Sequence, residues 1–211
     1  MSLETFHNLS EEKQNIIIQT GLKEFVSASY TEASTDIITK ECGISKGILF
    51  HYFGSKKNFY IYLLEYCLKR LAKPEEEISA TDFYQLIFDS MDKKMESYHK
   101  YPMEILFLNN ATKERNKKVW EEKNKLISSY MIKAQRDSEN VLERAVSLLH
   151  LKEEINKDKV VEGLSLYVNT IVMNYLEKYK DKPEAFYAER DLIKVEIKEY
   201  LDLMIYGIKG E

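Results

Sequence analysis

The distribution of glycine limits the possible folds of this chain more than any other sequence feature. The 211 residues include only 7 glycines and 3 prolines, and no glycine occurs between Gly54 and Gly163. Sandwiches, barrels and doubly wound α/β folds need frequent turns or glycine-rich loops, which use these residue types heavily. The shortage therefore predicts an all-α fold of long helices with few breaks.

Composition and cysteine content exclude several other classes of protein. With 31% charged and 44% hydrophobic residues, the chain is neither disordered nor collagen-like. Its longest aliphatic run, residues 16–18, is too short to span a membrane, and its first residues do not resemble a signal peptide. Cys42 and Cys67 cannot form a disulfide framework, so we expect a cytoplasmic protein with free thiols.

Sequence motifs for catalysis and metal binding are missing. The four histidines lie apart from one another and from both cysteines. The sequence contains no nucleophile elbow, no phosphate loop and no dinucleotide fingerprint. We therefore expect neither an enzyme nor a protein with a metal or cofactor.

Serine residues and apolar periodicity predict the helices. Four serines that suit helix N-caps precede apolar patterns of helical period: Ser10, Ser34, Ser45 and Ser55. The predicted helices begin at about 11 and then span 35–41, 46–53, 56–72, 82–100, 102–109, 115–149, 157–179 and 186–207. The first helix is expected to bury one face, formed by Ile17, Ile18, Gly21, Leu22 and Phe25.

The two short helices at 35–41 and 46–53 are joined by a turn that contains glycine, which is typical of a helix-turn-helix motif. Gly43 suits the left-handed conformation that ends a helix, and Ser45 suits the cap of the next one. Gly47 would let that second helix approach a DNA backbone closely. Residues 40–57 include four lysines and one glutamate, a small basic island in a chain of net charge −4.

Residues 34–56 resemble the DNA-binding domain of the TetR family of transcriptional regulators. The resemblance covers about residues 17–60 in detail, whereas the rest agrees only in length, in helical character and in ending with two apolar helices. It implies a three-helix DNA-binding domain over 1–55, a linking helix over 56–73 and a larger helical domain over 74–211 for ligand binding and dimerisation.

The resemblance also implies site residues. The implied DNA contacts are Ser34, Thr35, Ser45, Lys46, Gly47, Ile48, Phe50, His51, Tyr52 and Lys56, of which Lys56 would hold a phosphate. Three residues depart from the family pattern. Ala33 stands where threonine is common, Ser29 where glycine is common, and Phe50 where tyrosine is common.

The resemblance further implies a pocket for an unidentified, partly apolar effector between the middle helices. Methionine and aromatic side chains suit such ligands, although plain core packing is the alternative at each position. The candidate lining residues are Met91, Met95, Tyr98, Phe107, Trp120, Tyr130, Tyr167 and Asn174.

The last two predicted helices, 157–179 and 186–207, have apolar residues on more than one stripe, which favours a homodimer interface over internal packing alone. The sequence therefore predicts a homodimeric, ligand-responsive repressor that binds a palindromic operator of double-stranded DNA, with no membrane partner. The alternative is a helical binding module that has lost DNA binding, which the changes at Ala33 and Phe50 and the acidic balance favour. A helical enzyme is a third, weaker alternative.

Overall fold

The structure is a computed structural model, and it describes residues 3–71, 79–179 and 183–207. These residues form helices and no strand, so the all-α fold class is confirmed. The helices are α1 Leu3–His7, α2 Glu11–Ser27, α3 Thr35–Glu41, α4 Lys46–Phe53, α5 Lys56–Leu71, α6 Phe83–Lys100, α7 Pro102–Lys113, α8 Lys117–Ser147, α9 Lys157–Lys178, α10 Pro183–Ala188 and α11 Arg190–Tyr206.

The predicted caps start the N-terminal helices. The Ser10 hydroxyl accepts the N–H of Lys13 at 3.4 Å, and the Ser45 hydroxyl accepts the N–H of Ile48 at 3.2 Å. Ser34 caps α3 in the same way, through the N–H of Asp36 at 3.3 Å. Because the first N–H groups of a helix have no partner inside the helix, each serine stabilises its helix start.

The structure corrects two predicted helices and adds one helix, α1. The helix predicted over 102–109 continues to Lys113, and the one predicted over 186–207 is two helices, α10 and α11. Pro183 starts α10, as suits a residue without an N–H, and the backbone leaves helical geometry at Glu189 before α11 begins. The last position of the helix predicted over 56–72 lies outside the described residues, which here end at Leu71 of α5. Helix α1 is too short for its period to be recognised from sequence.

The chain divides into two compact units. The first comprises residues 1–73 and 101–132, and the second comprises 74–100 and 133–211. This division differs from the implied domains, because α7 packs on α2 and α5 and so joins the N-terminal helices. Helix α8 contributes residues to both units.

The first unit has a core of apolar and aromatic side chains. The predicted buried face of α2 is confirmed. Phe25 packs against Tyr60 of α5 and Phe107 of α7, with ring centroids 5.0 and 6.3 Å apart. Burial raises the pKa of both thiols, Cys67 inside this core and Cys42 at its edge, and neither cysteine forms a disulfide.

The second unit has a separate core built from α6, the second part of α8, α9 and α11. Leu86, Ala145, Leu164 and Leu201 are among its fully enclosed side chains. Helices α9 and α11 approach closely, since a Cβ on Gly163 would lie 3.0 Å from the end of Met204. No helix of the described residues has the length and apolar character that a membrane span requires.

Candidate nucleic-acid interface

Helices α3 and α4 form a tight helical corner whose turn is closed by backbone hydrogen bonds. Gly43 has φ +65°, a conformation that residues with a Cβ rarely adopt. The N–H of Ile44 then donates to the carbonyl of Thr39 at 3.0 Å. Ile44 is half-buried against the first core, as an apolar plug between the two helices should be. The helix-turn-helix geometry predicted from the sequence is present.

Helix α4 has one face in the core and one face outside it. Leu49 and Phe53 are buried, which fixes the rotation of the helix about its axis. The first turn and the opposite face are exposed at Ser45, Lys46, Gly47, Ile48 and His51. Phe50 and Tyr52 are half-buried at the edges of this face. The structure thus places seven of the predicted contact residues together on or beside one side of α4.

Gly47 lies at the centre of the exposed start of α4. A Cβ at this position would meet only the Ser45 hydroxyl oxygen, at 3.7 Å. The fold therefore does not require glycine here. A requirement for glycine at Gly47 would have to come from something outside the chain that approaches the helix.

Lys46 does not extend freely into solvent. Its ammonium pairs with the carboxylate of Asp36 on α3 at 2.9 Å, and both side chains are largely exposed. Exposed pairs of this kind contribute about 0–1 kcal/mol, so a phosphate could displace Asp36 at little cost. Sequence reasoning identified Lys46 as a cation beside the groove-facing surface but did not identify its carboxylate partner.

The other three predicted residues lie at the starts of α3 and α5. Ser34 is half-buried, and its N–H donates to Glu24 at 2.7 Å, while Thr35 is buried. The ammonium of Lys56 donates to the backbone carbonyls of Thr31 and Ala33. It also lies 5.0 Å from the Tyr30 ring centroid, and burial lowers its pKa.

Helix α1 supports α4 from behind, a role that was missed by sequence reasoning. Phe6 is fully enclosed, with ring centroids 4.9 Å from Phe53, 5.7 Å from Tyr52 and 5.5 Å from Tyr62. One side of Tyr52 therefore packs against protein. A single phenylalanine in a five-residue helix gives no periodic signal, so only the tertiary contact reveals it.

Comparisons with known proteins agree with this geometry. Residues 17–63 match the family described as "Bacterial regulatory proteins, tetR family". The N-terminal part of the chain is therefore similar to TetR-family regulators. The matched region contains most of α2, all of α3 and α4 and the first half of α5, which together include every residue of the predicted DNA-contact set.

Two curated relatives of this chain come from Bacillus subtilis (strain 168). The uncharacterized HTH-type transcriptional regulator YuxN is 43% identical over 56 residues, 26% of this chain and 19% of that protein. The uncharacterized HTH-type transcriptional regulator YerO is 24% identical over 203 residues, 93% of this chain and 66% of that protein. Both matches span less than two thirds of the relatives' lengths.

Solved structures show that the similarity of fold extends along the chain. A TetR family transcriptional regulator from Chloroflexus aurantiacus has a TM-score of 0.59 and 20% identity, covering 99% of this chain and 98% of that one. PfmR from Thermus thermophilus, also a TetR family regulator, has a TM-score of 0.58 and 19% identity, covering 92% and 99%. TetR-family proteins are DNA-binding regulators and not enzymes, in agreement with the expectation from the sequence.

The implied effector residues of this chain fall into both units. Phe107, Trp120 and Tyr130 belong to the first unit, where Phe107 is core, Trp120 is partly exposed and Tyr130 is half-buried. The second unit contains buried Met95, half-buried Met91 and Tyr167, and exposed Asn174. The side chain of Tyr98 lies outside the described residues.

Among the described residues, one cavity in each unit can be compared with the implied effector set, and neither of these two is lined by a residue of that set. One of about 130 Å³ in the second unit is lined by charged groups, among them Asp92, Arg190 and Lys194. The other, of about 320 Å³, lies in the first unit and is lined by Tyr30, Thr31, Ser55, Lys56, Lys57, Asn116 and Lys118.

Proposed function

We propose that this chain is a transcriptional regulator that binds double-stranded DNA as a homodimer, with α4 of each subunit in a major groove. In helix-turn-helix proteins the second helix reads base edges and the first crosses the backbone. Here α4 would present its exposed first turn and His51 to the bases. Ser34 and Thr35, at the start of α3, would lie over the phosphates.

The observation that best supports this proposal is the open first turn of α4. Ser45 caps the helix, Gly47 has no neighbour that needs its space, and Lys46 and Ile48 are exposed on either side. A helix N-terminus with free approach and positive charge suits a polyanion. The buried Leu49 and Phe53 hold this turn in a fixed orientation.

The exposed faces of α9 and α11 support the homodimer. Leu192, Val195, Leu203 and Tyr206 recur at helical spacing and are 50–75% exposed. On α9, Leu166 and Met173 are two turns apart and 67% and 64% exposed. Large apolar stripes of this kind mark interaction surfaces. Leu164, Ile171, Ile197 and Leu201, which belong to the apolar pattern of the same helices, are buried within the unit.

The finer points of the proposal are a palindromic operator, repression and release by a small effector. Two identical helix-turn-helix motifs related by a two-fold axis favour an operator whose two half-sites are related by the same symmetry. The distance between the two helix-turn-helix motifs of the dimer would differ between two conformations. An effector that binds more tightly to the conformation whose spacing does not match the half-sites would shift the population away from the DNA-bound form. The unit that contains Met91, Met95 and Tyr167 is our first choice for its site. A protein that binds DNA in a bacterium works in the cytoplasm.

The test is selection of duplexes from a random library, followed by binding measurements on the selected sequence. Gly47→Leu should weaken binding by roughly 100-fold, because a side chain would start at the surface proposed to meet the DNA, while its Cβ would make only an ordinary 3.7 Å contact with Ser45 in the protein. Lys46→Gln should reduce the slope of log K against log salt by about 1 per bound chain. The control is Lys23→Gln, which removes an exposed lysine that pairs with Glu41 at 3.3 Å in the same unit.

Two outcomes would reject the proposal. One is a wild-type chain that enriches no sequence from the library. The other is a Gly47→Leu variant that binds the selected duplex as well as wild type does.

A helical module that works without DNA is the second candidate function. It is favoured by the positions of Lys46 and Lys56, since both ammonium groups already have partners inside the chain. Failure of the library selection together with a well-folded dimer would support it.

A further inference from the structure

A basic segment that is distant in sequence from the helix-turn-helix motif lies against it in the structure. Residues 113–118, between the end of α7 and the start of α8, include Lys113, Arg115, Lys117 and Lys118 and one carboxylate, Glu114. The segment lies outside the region matched by the family comparison, which ends at residue 63. The four cations are all exposed.

Hydrogen bonds attach this segment to the loop that precedes α3. The carboxylate of Glu114 accepts the N–H of Tyr30 at 3.0 Å and the N–H of Asn116 at 2.7 Å. The side-chain amide of Asn116 donates to the hydroxyl of Thr31 at 2.9 Å. The only carboxylate of the segment therefore accepts hydrogen bonds from the protein, and the segment is held beside the loop that precedes α3.

The same place gathers lysines from two helices. Lys118 of α8 lines the 320 Å³ cavity together with Lys56 and Lys57 of α5 and the hydroxyl residues Thr31 and Ser55. Burial lowers the pKa of Lys56, and the nearby charge of Lys118 lowers it further, although Glu24 opposes the shift. A cluster of like charges repels itself in the free protein, and an anionic partner removes that repulsion.

Carboxylates within the protein do not neutralise the cluster fully. Lys57 pairs with Glu122 at 2.7 Å, and the ring of Trp120 lies 5.2 Å from Arg115. For Lys113, Lys117 and Lys118, the described residues provide no ion-pair partner. These three ammonium groups are available to an external anion.

We infer that segment 113–118 is a second DNA contact, which neutralises backbone phosphates beside those at the start of α3. The inference rests on the proposed function and extends it to residues outside the helix-turn-helix motif. Double-stranded DNA is the occupant because the basic surface continues from the loop that leads into α3, the helix that crosses the DNA backbone in this motif. Phosphate contacts position a protein and do not read sequence.

The first test is the double variant Lys117→Gln/Lys118→Gln in the full chain, on the duplex selected by the wild-type protein. Affinity should fall roughly tenfold, and the salt slope should decrease by about 2 per bound chain, since each lost phosphate contact contributes about 0.9. The ranking of single-base operator variants should not change. Ethylation of one group of phosphates should interfere with the wild-type chain and no longer interfere with the variant.

A second variant should have the opposite effect. Glu122→Gln removes the carboxylate that holds Lys57, so affinity should rise about threefold and the salt slope should steepen by about 1 per chain. The matched control is Lys133→Gln/Lys152→Gln, which removes two exposed lysines from the second unit. This control should shift neither the slope nor the ethylation pattern.

The outcomes separate the inference from the proposed function. Selective wild-type binding with an unchanged slope and ethylation pattern in Lys117→Gln/Lys118→Gln would overturn the inference alone. An equal loss in the control variant would also overturn it, because the effect would then be bulk charge. Absence of any selective wild-type binding would overturn the proposed function and the inference with it.

Discussion

Gly21 and Gly47, two glycines of the first unit, differ in the space that the protein leaves for a side chain. Gly21 lies inside α2 where it crosses α5, and a Cβ there would lie 2.5 Å from a ring carbon of Phe59 and 2.9 Å from a methyl of Leu63. Gly47 has open space around it. Gly21 permits α2 and α5 to pack, so its substitution should lower stability. Gly47 leaves the start of α4 open, so its substitution should weaken DNA binding.

Gly21→Ala should lower the free energy of unfolding by about 1–3 kcal/mol, the usual cost of overpacking a core. The gain in helix propensity, about 0.5–1 kcal/mol, is too small to offset that cost. The control is Gly163→Ala in α9, where the new Cβ would meet only the flexible end of Met204, at 3.0 Å. Urea denaturation of both variants tests this expectation, and an equal loss in the two would contradict it.

At the scale of helices, α4 depends on its surroundings. A helix of eight residues is not stable alone in water, so α4 requires its cap and its packing. Phe6 of α1 and the buried side of α4 provide the packing, and Ser45 provides the cap. Ser45 therefore has a structural role besides the implied DNA contact, and the two roles can be separated with a second cap.

Ser10→Ala and Ser45→Ala should each lower the free energy of unfolding by about 1 kcal/mol, because each removes the acceptor for a helix-start N–H. Only Ser45→Ala should also weaken DNA binding, since Ser10 caps α2 outside the implied contact set. Thermal melts and titration with the selected duplex measure the two effects. Equal DNA affinities in the two variants would remove Ser45 from the interface.

Helix α7 belongs to the first unit although it comes from the middle of the chain. Phe107 packs against both Phe25 and Tyr60, and buried Glu104 lies 3.5 Å from Arg70 of α5. The N-terminal helices are thus completed by a helix from the middle of the chain. The end of this helix also begins the basic segment 113–118.

At the scale of the whole molecule, the apolar stripe of α11 is the feature that a single chain leaves unexplained. Leu192 and Tyr206, near the two ends of the helix, are 70% and 75% exposed. A second copy of the chain would remove this surface from water and stabilise both subunits. At the helical spacing of the stripe, the position between Val195 and Leu203 is the charged residue Glu199.

Leu192→Glu/Leu203→Glu should convert the proposed dimer into a monomer, because it places two charges in the proposed apolar interface. Sedimentation velocity should show the mass of one chain at micromolar concentration. The control is Met131→Glu, a charge placed at an exposed apolar residue of α8 in the first unit. A double variant that sediments as wild type does would exclude this stripe as the interface.

Much of this molecule follows from local sequence signals. The rarity of glycine and proline predicts helices, and capping serines place the starts of α2, α3 and α4, because caps and turns depend on neighbouring residues. The exposed and buried sides of α4 follow from helical spacing. The break at Glu189 and helix α1 were missed, since the first lies within an apolar pattern that continues through it and the second is too short for a period.

The sequence alone determined the fold class, the helix-turn-helix motif and the resemblance to the TetR family. Only the tertiary structure revealed the pairing of Lys46 with Asp36, the packing of Phe6 behind α4 and the position of segment 113–118 beside the loop before α3. Hydrogen bonds within a helix or turn join residues a few positions apart, so the local sequence is enough to predict them. The partners of Thr31 and Tyr30 lie about 85 positions away along the chain, and only folding brings them together.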